Sequence, residues 1–383
     1  MRSIAPPFLL LLFGALALAG TNTLADESPT PDESPTDTRP SIAPDIREDD
    51  TKLKIQRGDT VVVPIPMSNP TLGTGLIVGG AYFYSQTEEQ AEEQPASLTG
   101  AGAMYTSNDS RAFVIGQQNY WKEDRWRFTG VIGAADIRLS LLAPDEESGE
   151  GSSVDYTVSG PLLFTQLSRR LKSDWYGGLQ FRVIGASQTI ETNTEGDSSD
   201  LDIGDAVVAG LGPILEYDSR DLPMNSYSGR HFKFTALFNY QSLDADNNYQ
   251  SYSAFYRSYH SLTDSVVLAW ELNGCQRVGT VPLWSACTVS LRGFPATDYL
   301  GMQSASTQVE ARWKFSKRWG LVGFAGVGSI DDSYSGIQDN NSIPSYGFGI
   351  RFMVLQSKRI NMRLDFARSD DSDAVYLSVG EAF

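Results

Sequence analysis

Two histidines and two cysteines are all that the 383 residues contain of either type. That scarcity leaves little room for a Cys/His metal site or a histidine-based proton relay. Long hydrophobic runs are missing too. Beyond residue 20 no stretch approaches the ~18–20 apolar residues a transmembrane helix needs, which excludes a helical membrane bundle. Basic charge is in deficit: 30 Lys and Arg stand against 47 Asp and Glu, for a net charge of −17. Such a chain repels a phosphate backbone, so no nucleic-acid partner is expected. There is no G-x-S-x-G elbow and no phosphate-cradling glycine loop, so neither an enzyme nor a cofactor is implied. What the chain has in excess is glycine (35) and aromatics (18 Phe, 17 Tyr, 7 Trp). Its length admits two or three ordinary domains or one large barrel.

Residues 1–25 read as a cleaved signal peptide. Arg2 supplies the positive start and Phe8 to Ala19 an apolar core too short for an anchor. Small residues allow cleavage after Ala25, the preferred site, or after Ala19. Residues 26–59 begin DESPTPDESPT and hold almost nothing to bury, so they read as a disordered, acidic, Pro-rich tether.

From residue 60 onward the period is two. In 303–315, Ala305, Val309, Ala311, Trp313 and Phe315 alternate with Ser304, Ser306, Gln308, Glu310, Arg312 and Lys314. In 359–368, Ile360, Met362, Leu364 and Phe366 alternate with Arg359, Asn361, Arg363 and Asp365. A soluble sandwich and a membrane barrel both produce this pattern. Export, strands of about ten residues or more with aromatic ends, and turns alternating between short and long favour the barrel. The short turns include 122–124 and 316–318; the long polar loops are 138–153, 191–202, 278–302 and 330–343. The expected fold is therefore all-β: a transmembrane antiparallel barrel over residues 60–383. Sixteen strands can be counted, or fourteen if the first is not one. An even number puts both chain ends on the periplasmic side, with the polar faces lining the lumen. The last strand is expected to run over 373–382 and to end on Phe383, a terminal aromatic that resembles the sorting signal of outer-membrane barrels.

Several segments resemble the BamA/TamA superfamily of outer-membrane barrels, the bacterial surface antigen group. Residues 218–229 (DSRDLPMNSYSG) are similar to its D-x-R-D-x-P…G turn between the eighth and ninth strands, carried by Asp218, Arg220, Asp221, Pro223 and Gly229. LRGF at 291–294 is similar to the tip of the family's sixth external loop, which folds back into the lumen. Glu310-Ala311-Arg312 matches its E-x-R segment, and the ending VYLSVGEAF is also similar. The resemblance spans residues 60–383 and implies sixteen strands. It departs in two places. The family's transport members carry POTRA modules before the barrel, and here only the tether precedes it, which implies a POTRA-less member. The family also often places an aspartate in the strand after E-x-R, to pair with the loop arginine. Here that strand reads GFAGVGSI and the matching position is Gly326.

The resemblance makes Arg292, with Gly293 and Phe294, a latch that pins loop 278–302 inside the lumen. Glu310 is the candidate partner for its guanidinium. Without the resemblance, Arg292 reads as an arginine solvated on an external loop. Cys275 and Cys287, an even pair in an exported chain, are expected to form a disulfide at the base of that loop. Pro64 and Pro66 remove two amide donors from one edge of the first strand. If that edge faces the last strand, the barrel has a weak seam; otherwise the prolines simply end a short strand. His231 and His260 fall near the short turns, the wrong end for lipid hydrolysis at the outer leaflet.

The leading functional expectation is a non-enzymatic barrel acting in outer-membrane assembly or in moving protein or lipid. The alternatives are a loop-gated passive pore for small solutes and a structural or anchoring barrel. Expected partners are outer-membrane lipids and lipopolysaccharide, the barrel assembly machinery, and a periplasmic protein bound through residues 26–59.

Overall fold

The computed structural model describes residues 58–143, 152–194, 197–240, 246–333, 340–356, 359–370 and 372–383. The signal peptide and all but the last two residues of the tether lie outside these. The first hairpin is β1 (Asp59–Asn69) and β2 (Gly73–Phe83), followed by a single helical turn, α1 (Glu88–Glu93), capped by Thr87. Then come β3 (Leu98–Thr106), β4 (Arg111–Trp121), β5 (Trp126–Ala143), β6 (Ser152–Lys172), β7 (Trp175–Thr194) and β8 (Asp197–Asp218). The second half comprises β9 (Gly229–Asn239), β10 (Tyr249–Thr263), β11 (Val266–Gly279), a two-residue strand β12 (Cys287–Thr288) and β13 (Leu300–Lys314). It finishes with β14 (Trp319–Ser333), β15 (Asn340–Leu355), β16 (Ile360–Arg368) and β17 (Asp373–Val379). Leaving aside β12, which sits inside a loop, sixteen antiparallel strands pair in chain order and β17 returns to β1. The barrel is closed, and the expectation of sixteen strands holds.

The outer face decides between sandwich and membrane barrel. Leu76, Val78, Phe113, Ile115, Ile132, Leu163, Leu179, Val309, Leu321 and Phe348 are all exposed, with no second sheet over them among the described residues. Water would penalise such a belt, whereas lipid accepts it. Aromatics gather at the short-turn rim: Trp121 closes β4, Trp175 lies 5.1 Å from Tyr217, and Trp319 lies 4.9 Å from Phe352. That girdle is where amphipathic rings meet a membrane interface.

Three details of the expected architecture need correction. First, the long loops are shorter than the sequence suggests. Residues 138–143 and 152–153 are strand, as are 191–194 and 197–202, so β5–β8 run 18 to 22 residues against 9 to 11 in β1–β4. Second, the lumen is not polar throughout. Ile65, Met67, Ile77, Met104, Val114, Val131, Ile137 and Leu162 turn inward and form one buried cluster. In this half of the wall both strand faces are apolar, so alternation could not reveal which one points in. Third, β17 stops at Val379 rather than continuing to residue 382. Gly380 takes a left-handed φ of +92°, and the tail folds inward so that Phe383 is buried with Tyr259 and Ala269. The terminal ring sits inside the barrel, not on its lipid face.

Candidate functional site

The site is built by the segment joining β11 to β13. Gly279, at φ +110°, ends β11, and Leu283–Ser285 make one turn of 3-10 helix. Cys287 then returns to the wall, opposite Gly301, and is disulfide-bonded to Cys275. Beyond this anchor Val289, Leu291 and Phe294 pack against Ile330 and Ile343. The side chains of β14 give way to them: a Cβ on Gly328 would lie 2.4 Å from Val289 Cγ1, and one on Gly326 2.9 Å from Leu291 Cδ2. The loop therefore rests inside the barrel along a groove of glycines.

Arg292 stands at its tip, 6% exposed. Its Nη1 donates to Asp365 Oδ2 at 2.7 Å; its Nη2 donates to Gln308 Oε1 at 2.7 Å and to Glu310 Oε2 at 2.6 Å. The guanidinium carbon lies 3.4 Å from the centre of the Phe324 ring, which adds a cation–π contact. Its neighbours explain the rest of the motif. Gly293 has φ +122°, and a Cβ there would come within 3.0 Å of Arg368 C. Its N–H donates to Tyr376 Oη at 3.0 Å, and its carbonyl accepts from Ser372 Oγ at 2.6 Å. Phe294 packs edge-on against Tyr299 at 4.8 Å. The Ser345 hydroxyl donates to the Arg292 carbonyl, and Ala296 N–H to Thr71 Oγ1 at 2.8 Å, which ties the loop to the β1–β2 turn.

The charge network extends below the latch. Arg312 donates to Glu310 Oε1 at 2.7 Å and, through Nη2, to the main-chain carboxylate of Phe383 at 2.7 Å. Arg351 pairs with Asp365 and with Glu381 Oε2, the latter at 2.7 Å. Arg363 Nη1 lies 3.6 Å from Asp365 Oδ2. A buried carboxylate is tolerable only when paired in this way.

The structure thus brings together Arg292, Gly293, Phe294 and Glu310. It adds Asp365, Gln308, Arg351 and Phe324, which sequence reasoning did not assign to the latch. Alternation places Asp365 on the polar face of its strand, but its meeting with a loop 73 residues earlier is a matter of register alone. With Gly326 in the neighbouring strand, the carboxylates come from the candidate Glu310 on β13 and from Asp365 on β16.

The turn over 219–228 is equally ordered. Asp218 accepts from Arg220 Nε at 2.8 Å and Nη2 at 2.7 Å, and Arg220 Nη1 donates to the Pro223 carbonyl at 3.1 Å. Asp221 accepts from Tyr227 N–H at 2.9 Å and pairs with Arg359 Nη1 at 2.6 Å, in the β15–β16 turn. Gly229, φ +100°, closes the turn where a Cβ would strike Ser219 O at 2.2 Å.

Pro64 and Pro66 lie within β1, whose ladder to β2 runs unbroken through both. Their donor-less edge therefore faces β17, and among the described residues that junction holds a single pair, Ser68 with Leu377. Every other pair of neighbouring wall strands shares at least seven. His231 Nε2 meets Glu216 Oε1 at 2.9 Å, with Asp218 Oδ2 at 4.0 Å. These three could in principle ligate a metal, but Arg220 occupies both oxygens of Asp218 and Lys233 Nζ lies 3.7 Å from Glu216. The cluster is an ion-pair network.

Comparison with known proteins agrees with this geometry. Residues 96–383 match the Omp85 superfamily domain. Among solved structures, BamA from Haemophilus ducreyi lacking POTRA domains 1-3 superposes with a TM-score of 0.58 at 11% identity, covering 84% of this chain and 70% of that one. CdiB from Acinetobacter baumannii gives 0.53 at 12% identity, covering 83% and 59%. CdiB from Escherichia coli gives 0.53 at 12%, covering 86% and 68%. No curated protein sequence matches the chain.

Proposed function

The chain belongs to the Omp85 superfamily of outer-membrane barrels, and from that premise we propose that it acts in outer-membrane assembly or in moving protein or lipid across or into that membrane. One observation carries the reading: the contrast between a wall of long ladders and a junction of one pair, Ser68 with Leu377. Antiparallel ladders hold through their hydrogen bonds, and two prolines remove donors from this edge alone. A junction so poor in bonds opens toward lipid more readily than any other part of the wall, while the latched loop keeps the lumen filled. Barrels of this superfamily are generally assembly and transport proteins rather than enzymes, and no catalytic residue is assigned.

In this reading residues 1–25 direct export and are removed. Residues 26–59 reach a periplasmic partner, the barrel assembly machinery folds the chain, and Phe383 serves as its sorting signal. Outer-membrane lipid and lipopolysaccharide face the seam. The test is a cysteine pair at positions 68 and 377, which locks the junction when oxidised. The locked protein is expected to fold yet fail to restore the outer-membrane protein or lipopolysaccharide defect of a deletion strain, with reductant rescuing it in isolated membranes. Full function with the junction locked would sink the proposal.

A further inference from the structure

Beneath the latched loop lies a cavity of about 280 Å³, lined in part by Arg277, Arg292, Arg363 and Gln308. Each of these four side chains has at least one buried N–H without a hydrogen-bond partner among the described residues: Arg277 Nη2, Arg292 Nε, Arg363 Nε and Nη1, and Gln308 Nε2. Charge points the same way. In the latch network four guanidiniums (Arg292, Arg312, Arg351, Arg363) are balanced by the side chains of Glu310, Asp365 and Glu381 and by the main-chain carboxylate of Phe383, which leaves Arg277 as the uncompensated cation. Arg277 is 2% exposed and makes no ion pair among the described residues; its donors reach the carbonyls of Ser285, Tyr252 and Gln276. Glu271, the acid on this lining, is held by Arg257 at 2.7 Å. Arg277 therefore brings one uncompensated positive charge to a wall that also has surplus donors.

Water alone satisfies such a wall poorly, because each water must also place its own hydrogens. An acceptor-rich anion answers both surpluses at once, and guanidinium forks suit the oxygens of phosphate. We propose that this lumenal cavity binds a phosphate-class anion, either free or as the headgroup of a lipid. The seam residues Ser68 and Leu377 border the cavity, but the proposal does not depend on the assembly role.

The experiment uses the full barrel in detergent, titrated with inorganic phosphate at constant ionic strength against chloride. Thermal unfolding and ³¹P line width of the phosphate are followed. A saturable rise in the midpoint is expected, since a ligand bound to the folded state stabilises it. Arg277→Met is expected to weaken the apparent affinity about tenfold, with Arg277→Lys recovering part of it. Arg363→Gln gives an independent variant should the first fail to fold. Reconstitution in phosphatidylcholine vesicles with and without phosphatidic acid separates the sources. A response to free phosphate identifies a soluble anion, and one to phosphatidic acid alone identifies a headgroup. No response to either, or a response equal in wild type and in every folded variant, overturns the proposal.

Discussion

Gly326 lies directly under Leu291: a Cβ built on the glycine would approach Leu291 Cδ2 to 2.9 Å and Thr307 O to 2.6 Å. The position that could offer the loop arginine a carboxylate is thus the floor on which the loop rests. Charge pairing and close packing cannot both be met there, and in this chain the packing is kept while the carboxylates come from β13 and β16.

Gly326→Asp is accordingly expected to expel the loop even though it supplies an acid. The measure is protease cleavage within 280–299, which should accelerate at least about tenfold, the consequence of ~1.4 kcal/mol or more of overpacking. A loop as protected as in wild type would show that the floor can yield.

Arg292→Ala removes one cation from between Glu310 and Asp365. Taking one partner from a buried pair costs about 3–5 kcal/mol, moderated here because Arg351 and Arg312 still reach those acids. The barrel should stay folded while the loop detaches, so single-channel conductance in planar bilayers rises above the wild-type level. Unchanged conductance in a folded variant would remove the latch role.

The Cys275–Cys287 bond closes a span of 12 residues at the loop's base. A crosslink over so short a span contributes about 2–3 kcal/mol. Alkylation without reductant should add no mass to the protein. Reduction, or Cys275→Ser with Cys287→Ser, should loosen 280–299 in hydrogen exchange while leaving the wall strands protected.

Asp298, in the same loop, has its carboxyl pushed up to about 6 by burial. The folded state then holds a proton that the unfolded chain releases near pH 4. Loop stability is greatest at low pH and falls as pH rises through about 4 to 6. Protection factors of 290–299, with the intrinsic pH dependence of amide exchange divided out, should fall between pH 4.5 and 7, and Asp298→Asn should flatten that profile.

Much of this was legible in the sequence, and for definite reasons. The stretch 303–315 announces a strand with one wet and one apolar side, and Gln308, Glu310 and Arg312 do face inward while Val309 and Trp313 face out. The sixteen strands follow from the same signal repeated. What the pattern could not carry was anything set by distance around the ring. Asp365 reaches Arg292 through register; Phe383 reaches Tyr259 because Gly380 turns the tail. Nor could alternation assign inside from outside in β2–β6, where Ile77 points in and Val78 out and both are apolar.

The crossing from Asp221 to Arg359 has a mechanical meaning. A ring held at its join by one pair is a cut hoop, free to flatten or spring once the join parts. The 219–228 turn spans from the β8–β9 hairpin to the β15–β16 turn, where Asn225 also grips the Arg359 carbonyl at 3.1 Å. It is a chord, and the tail running to Tyr259 is a second one. Both fix the span of the hoop from within, so the remaining wall keeps its curvature if the join parts in the way proposed above.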